Sequence, residues 1–168
     1  MEFSFEFVFK HYFEHIYNSY QTNATVLVAM YILTVVAVGV WKGWKSAFQW
    51  LTIGYCLLVL YVTVFSRPQN EQMQYCLVPL HSYYSIFTDN RFLLPQVVMN
   101  VVMFVPLGVL MGFLNHDWKG ILLAGMLFSM IIEGLQLVMM RGTAEVDDVI
   151  HNTVGCMIGY GMINIKNG

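Results

Sequence analysis

Residues 133–152 read EGLQLVMMRGTAEVDDVIHN and join the last two apolar runs of the chain. Glu133 and Gln136 interrupt the first of these runs, while Asp148 and Asn152 stand at the beginning of the second. An ionised carboxylate inside a hydrocarbon-length segment costs at least about 2.5 kcal/mol unless it faces protein, water or a partner. The stretch therefore predicts two membrane helices with a polar site between them.

The composition is that of a membrane protein. Of the 168 residues, 58% are hydrophobic and 11% are charged, and the mean hydropathy is +0.60; a soluble domain has about 25% charged residues. We predict an all-α integral membrane protein that forms a single membrane domain over residues 1–168. The net charge of −2 and the lack of a basic stripe argue against a nucleic-acid partner. Three scattered cysteines (Cys56, Cys76 and Cys156) suggest neither a disulfide framework nor a zinc site.

Five apolar runs predict about five transmembrane helices within residues 24–165. A helix rises about 1.5 Å per residue and needs roughly 17–25 residues to cross a bilayer core. The last run is short and reaches that length only if its helix begins near Asp147. Pro106 is expected to kink the third run. The runs are Ala24–Val40, Phe48–Phe65, Val97–Leu114, Ile121–Met140 and Thr153–Ile165.

Two further segments are predicted to have structure outside these runs. Residues 1–22 alternate aromatic and polar side chains at helical spacing, which indicates an amphipathic helix at the membrane interface that precedes the spans. The long loop Ser66–Gln96 has apolar patches and is expected to be a structured interfacial or re-entrant segment.

Pairs of small residues predict where the helices pack most closely. Gly108 and Gly112 are four residues apart, as are Gly155 and Gly159. This spacing allows two helix backbones to approach each other in a bilayer.

The polar residues of the spans are expected to converge on one side of the membrane. Asp148 and Asn152 are spaced i, i+4 and share a helix face. Arg67 or Arg141 would pair with Glu133, since arginine suits carboxylate and phosphate groups. The alternative is that these groups only hold helices together by hydrogen bonds, and that Asp147 is a helix N-terminal cap. The candidate catalytic residues are Glu133 and Asp148; the candidate ligand-binding residues are Arg67, Asn100, Gln136, Arg141 and Asn152.

The orientation of this side is only weakly indicated by charge. Each side of the predicted bundle has four lysine or arginine residues, so the positive-inside count is a tie. The cations of the opposite side are all lysines near short loops, whereas the arginines are candidates for site chemistry. We therefore expect the polar side to be extracytoplasmic.

Several motifs occur in an order that is typical of one family. They are Ser66-Arg67, Val78-Pro79-Leu80-His81-Ser82, Asn100-Val101-Val102-Met103-Phe104-Val105-Pro106-Leu107-Gly108, Glu133-Gly134-Leu135-Gln136, and Arg141 followed by Asp147-Asp148-Val149-Ile150-His151-Asn152-Thr153-Val154-Gly155. This ordered set resembles the VanZ-like family of bacterial membrane proteins and covers roughly Ser66 to Gly159. A Gly-Thr-Ala-Glu insert after Arg141 departs from the family pattern.

The resemblance implies a multi-pass protein of the bacterial plasma membrane. It also implies a link to antibiotic resistance, because a named family member is associated with resistance to the glycopeptide teicoplanin. The expected partners are a membrane lipid or a lipid-linked cell-envelope molecule, a lipophilic glycopeptide, and a second copy of the chain.

Three classes of function remain open. In the first, the polar side binds an envelope ligand or protects against it without chemistry. In the second, the protein is a membrane enzyme for a lipid-linked or cell-wall substrate, with Glu133 as general acid or base and Asp148 orienting water. In the third, it is a proton-coupled transporter, although five spans without an inverted repeat argue against this. No cofactor is predicted; a divalent cation held by the acids is an alternative that no fixed-spacing motif supports.

Overall fold

The computed structural model describes residues 24–88, 93–114 and 117–164. The interfacial helix predicted over residues 1–22 lies outside these residues. The described residues group into two compact units that divide between Ala47 and Phe48, and each is described by itself below. The single membrane domain stays a prediction.

The first unit contains the first predicted apolar run as a helix. Helix α1 covers Ala24–Lys42 and ends where Gly43 has a φ of +90°, a left-handed conformation that glycine adopts without steric cost. The Lys42 ammonium lies 5.8 Å from the centre of the Trp41 ring. Helix α2 begins at Trp44, immediately after this glycine, and continues into the second unit.

The second unit consists of helices and two short strands that pair with each other. Helix α2 (Trp44–Leu60) continues as a π-helical turn (Tyr61–Phe65), and a parallel strand pair links two parts of the chain that lie far apart in sequence. The remaining elements are β1 (Gln74–Cys76), α3 (His81–Thr88), α4 (Leu93–Leu114), α5 (Trp118–Val138), β2 (Thr143–Glu145) and α6 (Val146–Asn164).

Three helical segments of the described chain are long and apolar enough to cross a membrane. They are Trp44–Phe65, Leu93–Leu114 and Trp118–Val138, and in each of them 33% or less of the apolar window is buried inside the protein. The remaining apolar surface suits contact with lipid. An all-α membrane protein is thus supported, while the count of about five spans stays a prediction. Helix α6 begins at Val146, as the fifth run required.

The predicted long loop is structured. It contains β1 and α3, and its last residues already belong to α4, which begins at Leu93 instead of Val97. Pro95 stands third in that helix, where the backbone N–H that proline lacks would have no helical partner in any case. The prediction of a helix start at Val97 is therefore four residues too late, because a proline in the first turn of a helix resembles a loop residue in the sequence.

Glycines allow α4 and α6 to touch backbone to backbone. A Cβ atom on Gly108 would overlap the carbonyl oxygen of Cys156, and one on Gly155 or Gly159 would overlap a backbone carbonyl oxygen of α4. The predicted close approach is confirmed at these three positions. Gly112 is in looser contact, since its Cβ would lie 3.5 Å from Tyr160.

The end of α5 turns the chain toward the site. Met140 has a φ of 53°, and its N–H donates to the carbonyl oxygen of Leu137. The N–H of Arg141 donates to the carbonyl oxygen of Gln136 at 2.8 Å. This pair of bonds is a Schellman motif, which satisfies carbonyl groups at a helix end. Strand β2 follows at once and aligns Ala144 with Tyr75 of β1.

Candidate functional site

The two predicted acids meet at the junction of α5, β2 and α6. Glu133 is buried in α5 with 8% exposure, and Asp148 is buried in the first turn of α6 with 3% exposure. The two carboxyl groups interact electrostatically. The N–H of Glu145 in β2 donates to Glu133 Oε2 at 2.8 Å, so the strand that follows the Schellman turn holds the Glu133 carboxyl group in place.

Arg67 is the arginine that faces these acids. It follows the π-helical turn and interacts electrostatically with Glu133, Glu145 and Asp148. Its guanidinium lies over Gly142, where a Cβ atom would be 2.6 Å from Nη1. Gly142 also has a φ of +84°. Glycine at this position therefore provides both the turn and the space for the guanidinium.

Arg141, unlike Arg67, binds backbone carbonyl oxygens. Its Nη1 donates to the carbonyl oxygens of Phe65 at 2.7 Å and Arg67 at 3.0 Å. These carbonyls lie at the end of the π-helical turn, where no further N–H groups of the helix can donate to them. Arg141 therefore positions the backbone that carries Arg67, and its role in ligand binding stays a prediction.

The three predicted amide residues are all buried. Asn100 in α4 lies close to the Asp148 carboxyl group. Gln136 Nε2 donates to the carbonyl oxygen of Thr63 at 3.0 Å, and Asn152 Nδ2 donates to Ser129 Oγ at 2.8 Å. These contacts support the alternative role as hydrogen bonds between helices, but each uses only part of the amide.

Three buried polar atoms on the two helices that contain the acids have no hydrogen-bond partner among the residues that the structure describes. Each belongs to a side chain that is 6% exposed or less. Because a buried polar group without a partner is costly, such a concentration indicates a place where water or a ligand binds. The atoms are Gln136 Oε1, His151 Nδ1 and Asn152 Oδ1, whereas the Asn100 side chain is hydrogen-bonded to Asp148. We call the residues around them the polar cluster: Arg67, Asn100, Glu133, Gln136, Glu145, Asp148, His151 and Asn152.

Two members of this neighbourhood were missed in the sequence. Glu145 appeared as part of an insert; burial raises its pKa, and the charge of Asp147 raises it further. Ser129 is four residues before Glu133, and this spacing on one helix face could have identified it.

His151 is fixed by Tyr83, whose hydroxyl lies 3.0 Å from Nε2, while Nδ1 is 4.0 Å from Asp148 Oδ1.

Asp147 is a helix cap, as the sequence indicated, but it caps a different helix. Its carboxylate accepts hydrogen bonds from the N–H groups of Leu80 at 2.6 Å and Ser82 at 2.8 Å, at the beginning of α3. Leu80 has a φ of 63°, a conformation unfavourable for a side chain of this size. Asp147 thereby ties the loop that contains α3 to the polar cluster.

We expect Asp147→Ala to lower the free energy of unfolding by about 2 kcal/mol, because two backbone N–H groups lose their acceptor at a conformation that is already strained. Thermal unfolding in detergent measures this. Asp117→Ala is the matched control, since Asp117 caps the exposed start of α5 through Lys119 and Gly120 and should cost less. Equal losses in the two variants would contradict the special role of Asp147.

The arrangement has two chemical uses. The pair of Glu133 and Asp148 can act as acid and base, and the unsatisfied amide and imidazole atoms can bind a polar group. Within the described residues, no three His, Cys, Asp or Glu side chains are placed to hold a metal ion.

Comparison with known proteins identifies one match. The family model described as VanZ/LLP1 matches residues 48–167, which begins at the first residue of the second compact unit. No curated protein and no solved structure matches the chain.

Proposed function

The chain belongs to the VanZ/LLP1 family, and from this premise we propose that it is a bacterial cell-envelope membrane protein that binds the polar part of an amphipathic envelope molecule. The ligand enters the polar cluster, and binding gives protection against a lipophilic glycopeptide such as teicoplanin. The family match supports an association with resistance in the cell envelope at the level of the family. The ligand and the protective effect are our proposals.

The observation that carries this proposal is the set of three unsatisfied buried atoms. Gln136, His151 and Asn152 come from α5 and α6, the helices that contain the two acids, yet each leaves one polar atom without a partner among the described residues. Polar groups that served only to join helices would be expected to satisfy one another. A ligand that completes these hydrogen bonds gains affinity without displacing protein contacts.

We propose that the cluster is extracytoplasmic and that the ligand enters it from its more exposed residues. Arg67 and Glu145 are half-buried, whereas Glu133 and Asp148 are buried. A ligand would therefore approach past the first two residues and place its polar group against the acids. An acyl chain on the same molecule would remain in lipid beside the exposed apolar faces of the helices.

The test is teicoplanin susceptibility of a bacterial host that produces the protein. We expect the wild-type protein to protect, and Glu133→Gln and Asp148→Asn to reduce protection to the level of the host alone at matched membrane amounts. Each substitution keeps the shape of the side chain and removes an acceptor that the ligand requires. Glu71→Gln changes an exposed acid outside the cluster and should keep full protection.

Two results would count against the proposal. One is equal protection by the wild type and both cluster variants. The other is absence of protection by a wild-type protein that is correctly inserted, as judged by its amount in the membrane fraction.

A membrane enzyme is the second candidate, favoured by the electrostatic interaction between the two buried carboxyl groups of Glu133 and Asp148. In an enzyme, Glu133→Gln would abolish turnover of a lipid-linked substrate while retaining its binding. In a binding protein, the same substitution weakens binding, and no turnover exists to be lost. Binding and product formation measured on the same purified variant separate the two.

A further inference from the structure

The polar cluster has an excess of acids over cations. Arg67 interacts electrostatically with Glu133, Glu145 and Asp148, so one guanidinium faces three carboxyl groups and two formal negative charges remain. The other nearby arginine, Arg141, donates to backbone carbonyls. The charge balance of the cluster is thus completed either by protons or by a cationic group from outside.

A second observation points to a hydrogen-bond donor as the missing group. Gln136 is 1% exposed, and its Oε1 has no partner among the described residues. The orientation of this amide is fixed, because its Nε2 donates to the Thr63 carbonyl oxygen, which can only accept. Gln136 is three residues after Glu133, so both lie on one face of α5.

We infer that the polar cluster binds a protonated amine carried by an amphipathic molecule, with Glu133 and Asp148 as its counter-charges and the Gln136 amide oxygen as a further acceptor. This inference rests on the proposed function and names the chemical class of its ligand. An ammonium group has three donors and a full positive charge. It therefore matches a site made of carboxylates and an unpaired carbonyl oxygen.

Other polar groups fit the cluster less well. A phosphate would approach three acids with only Arg67 to balance its charge, and like charges close together in a site of low dielectric repel strongly. A divalent cation needs several oxygen ligands at short range, and the described residues offer no group of three acidic, histidine or cysteine side chains for it.

The experiment is calorimetric titration of the purified full chain in neutral detergent with hexylammonium, and separately with hexyl phosphate of the same chain length. We expect saturable binding of hexylammonium and none of hexyl phosphate. In Glu133→Gln and in Asp148→Asn, the affinity for hexylammonium should fall by about tenfold or more, because each variant removes a buried counter-charge. Glu71→Gln should bind as the wild type does.

Three results would overturn the inference. They are equal binding of the two probes, preference for the phosphate, and ammonium binding that both cluster variants leave unchanged. The comparison of probes on the wild-type protein holds even if a variant fails to fold. Preference for phosphate together with loss of protection in Glu133→Gln would refute the ammonium ligand and leave the proposed function standing. Unchanged protection in both cluster variants would refute the proposed function itself.

The amine has two potential sources, a lipid headgroup and a soluble amphipathic compound. Nanodiscs of phosphatidylethanolamine and of phosphatidylcholine distinguish them, since both lipids are zwitterionic and only the first has an amine with N–H donors. If the lipid amine is the ligand, added hexylammonium should bind more weakly in the phosphatidylethanolamine discs, since the site is already occupied. If the source is a soluble compound, the affinity for hexylammonium should be the same in the two lipids.

Discussion

Replacing Gly155 by alanine is expected to lower the free energy of unfolding by about 3 kcal/mol, at the upper end of the usual cost of overpacking. The added Cβ atom would overlap the carbonyl oxygen of Val101 in α4. A backbone atom in a helix cannot rotate away as a side chain can, so α4 and α6 must move apart. Thermal or denaturant unfolding in detergent measures the loss.

The same chain provides a matched control on the same helix. Gly161 also lies in α6, but a Cβ atom there would meet nothing within 4 Å. Gly161→Ala should therefore be neutral or stabilising by up to about 1 kcal/mol, since alanine favours a helix more than glycine does. Similar destabilisation by both substitutions would show that the contact between α4 and α6 is not the cause.

Separation of these helices should also impair the site. Gly155 is three residues after Asn152, and the contact that it allows keeps α4, which contains Asn100, against the acid of α6. We therefore expect Gly155→Ala to weaken protection in cells beyond the effect of a lower protein amount. The glycines thus connect the packing of the bundle to the geometry of the polar cluster.

The convergence of the acids and amides was predictable because burial restricts where polar groups can go. Glu133, Gln136 and Asn100 occur in apolar runs, and a polar side chain there must face protein, water or a partner. In the structure, the side chains of Glu133, Asp148 and the three amides are all buried; Glu133 interacts electrostatically with Asp148, and Asn100 is hydrogen-bonded to Asp148. Their roles in binding or catalysis are not decided by this proximity and stay predictions.

Which arginine faces the acids and which one binds backbone carbonyl oxygens could not be predicted from the sequence. Either Arg67 or Arg141 suits a carboxylate equally well as a residue type. Arg141 is used at the end of the π-helical turn, where the carbonyl oxygens of Phe65 and Arg67 need donors. That need arises from a contact between segments more than 70 residues apart in the chain, which local patterns do not report.

The strand pair was missed for a related reason. Strands β1 and β2 have three residues each, which is too short for the alternation of apolar and polar residues that indicates a strand. The segment that contains β2 nevertheless supplies both Gly142, which lies beneath Arg67, and Glu145, whose N–H donates to Glu133.

Replacing Arg67 by glutamine is expected to lower the free energy of unfolding by about 2 kcal/mol. This is less than the value for a fully buried charge pair, because Arg67 is half-buried. The variant leaves Glu133, Glu145 and Asp148 without the cation that faces all three. Arg67→Lys keeps the charge and should cost less, although it loses the planar fork of arginine. Thermal unfolding of both variants in detergent at pH 7 measures the difference.

The origin of this effect can be tested by removing one negative charge as well. If charge balance is the cause, Arg67→Gln combined with Glu133→Gln should be more stable than the sum of the two single effects predicts. The deficit of Arg67→Gln should also shrink as the pH falls, because burial raises the pKa of Glu145 and its protonation removes repulsion. That relief is present below the raised pKa and is lost as the pH rises through it. The contrary result is that the two substitutions are additive and that the stability lost in Arg67→Gln does not depend on pH. Arg67 would then stabilise the protein through its packing over Gly142. The excess negative charge on which ammonium binding depends would lose its support.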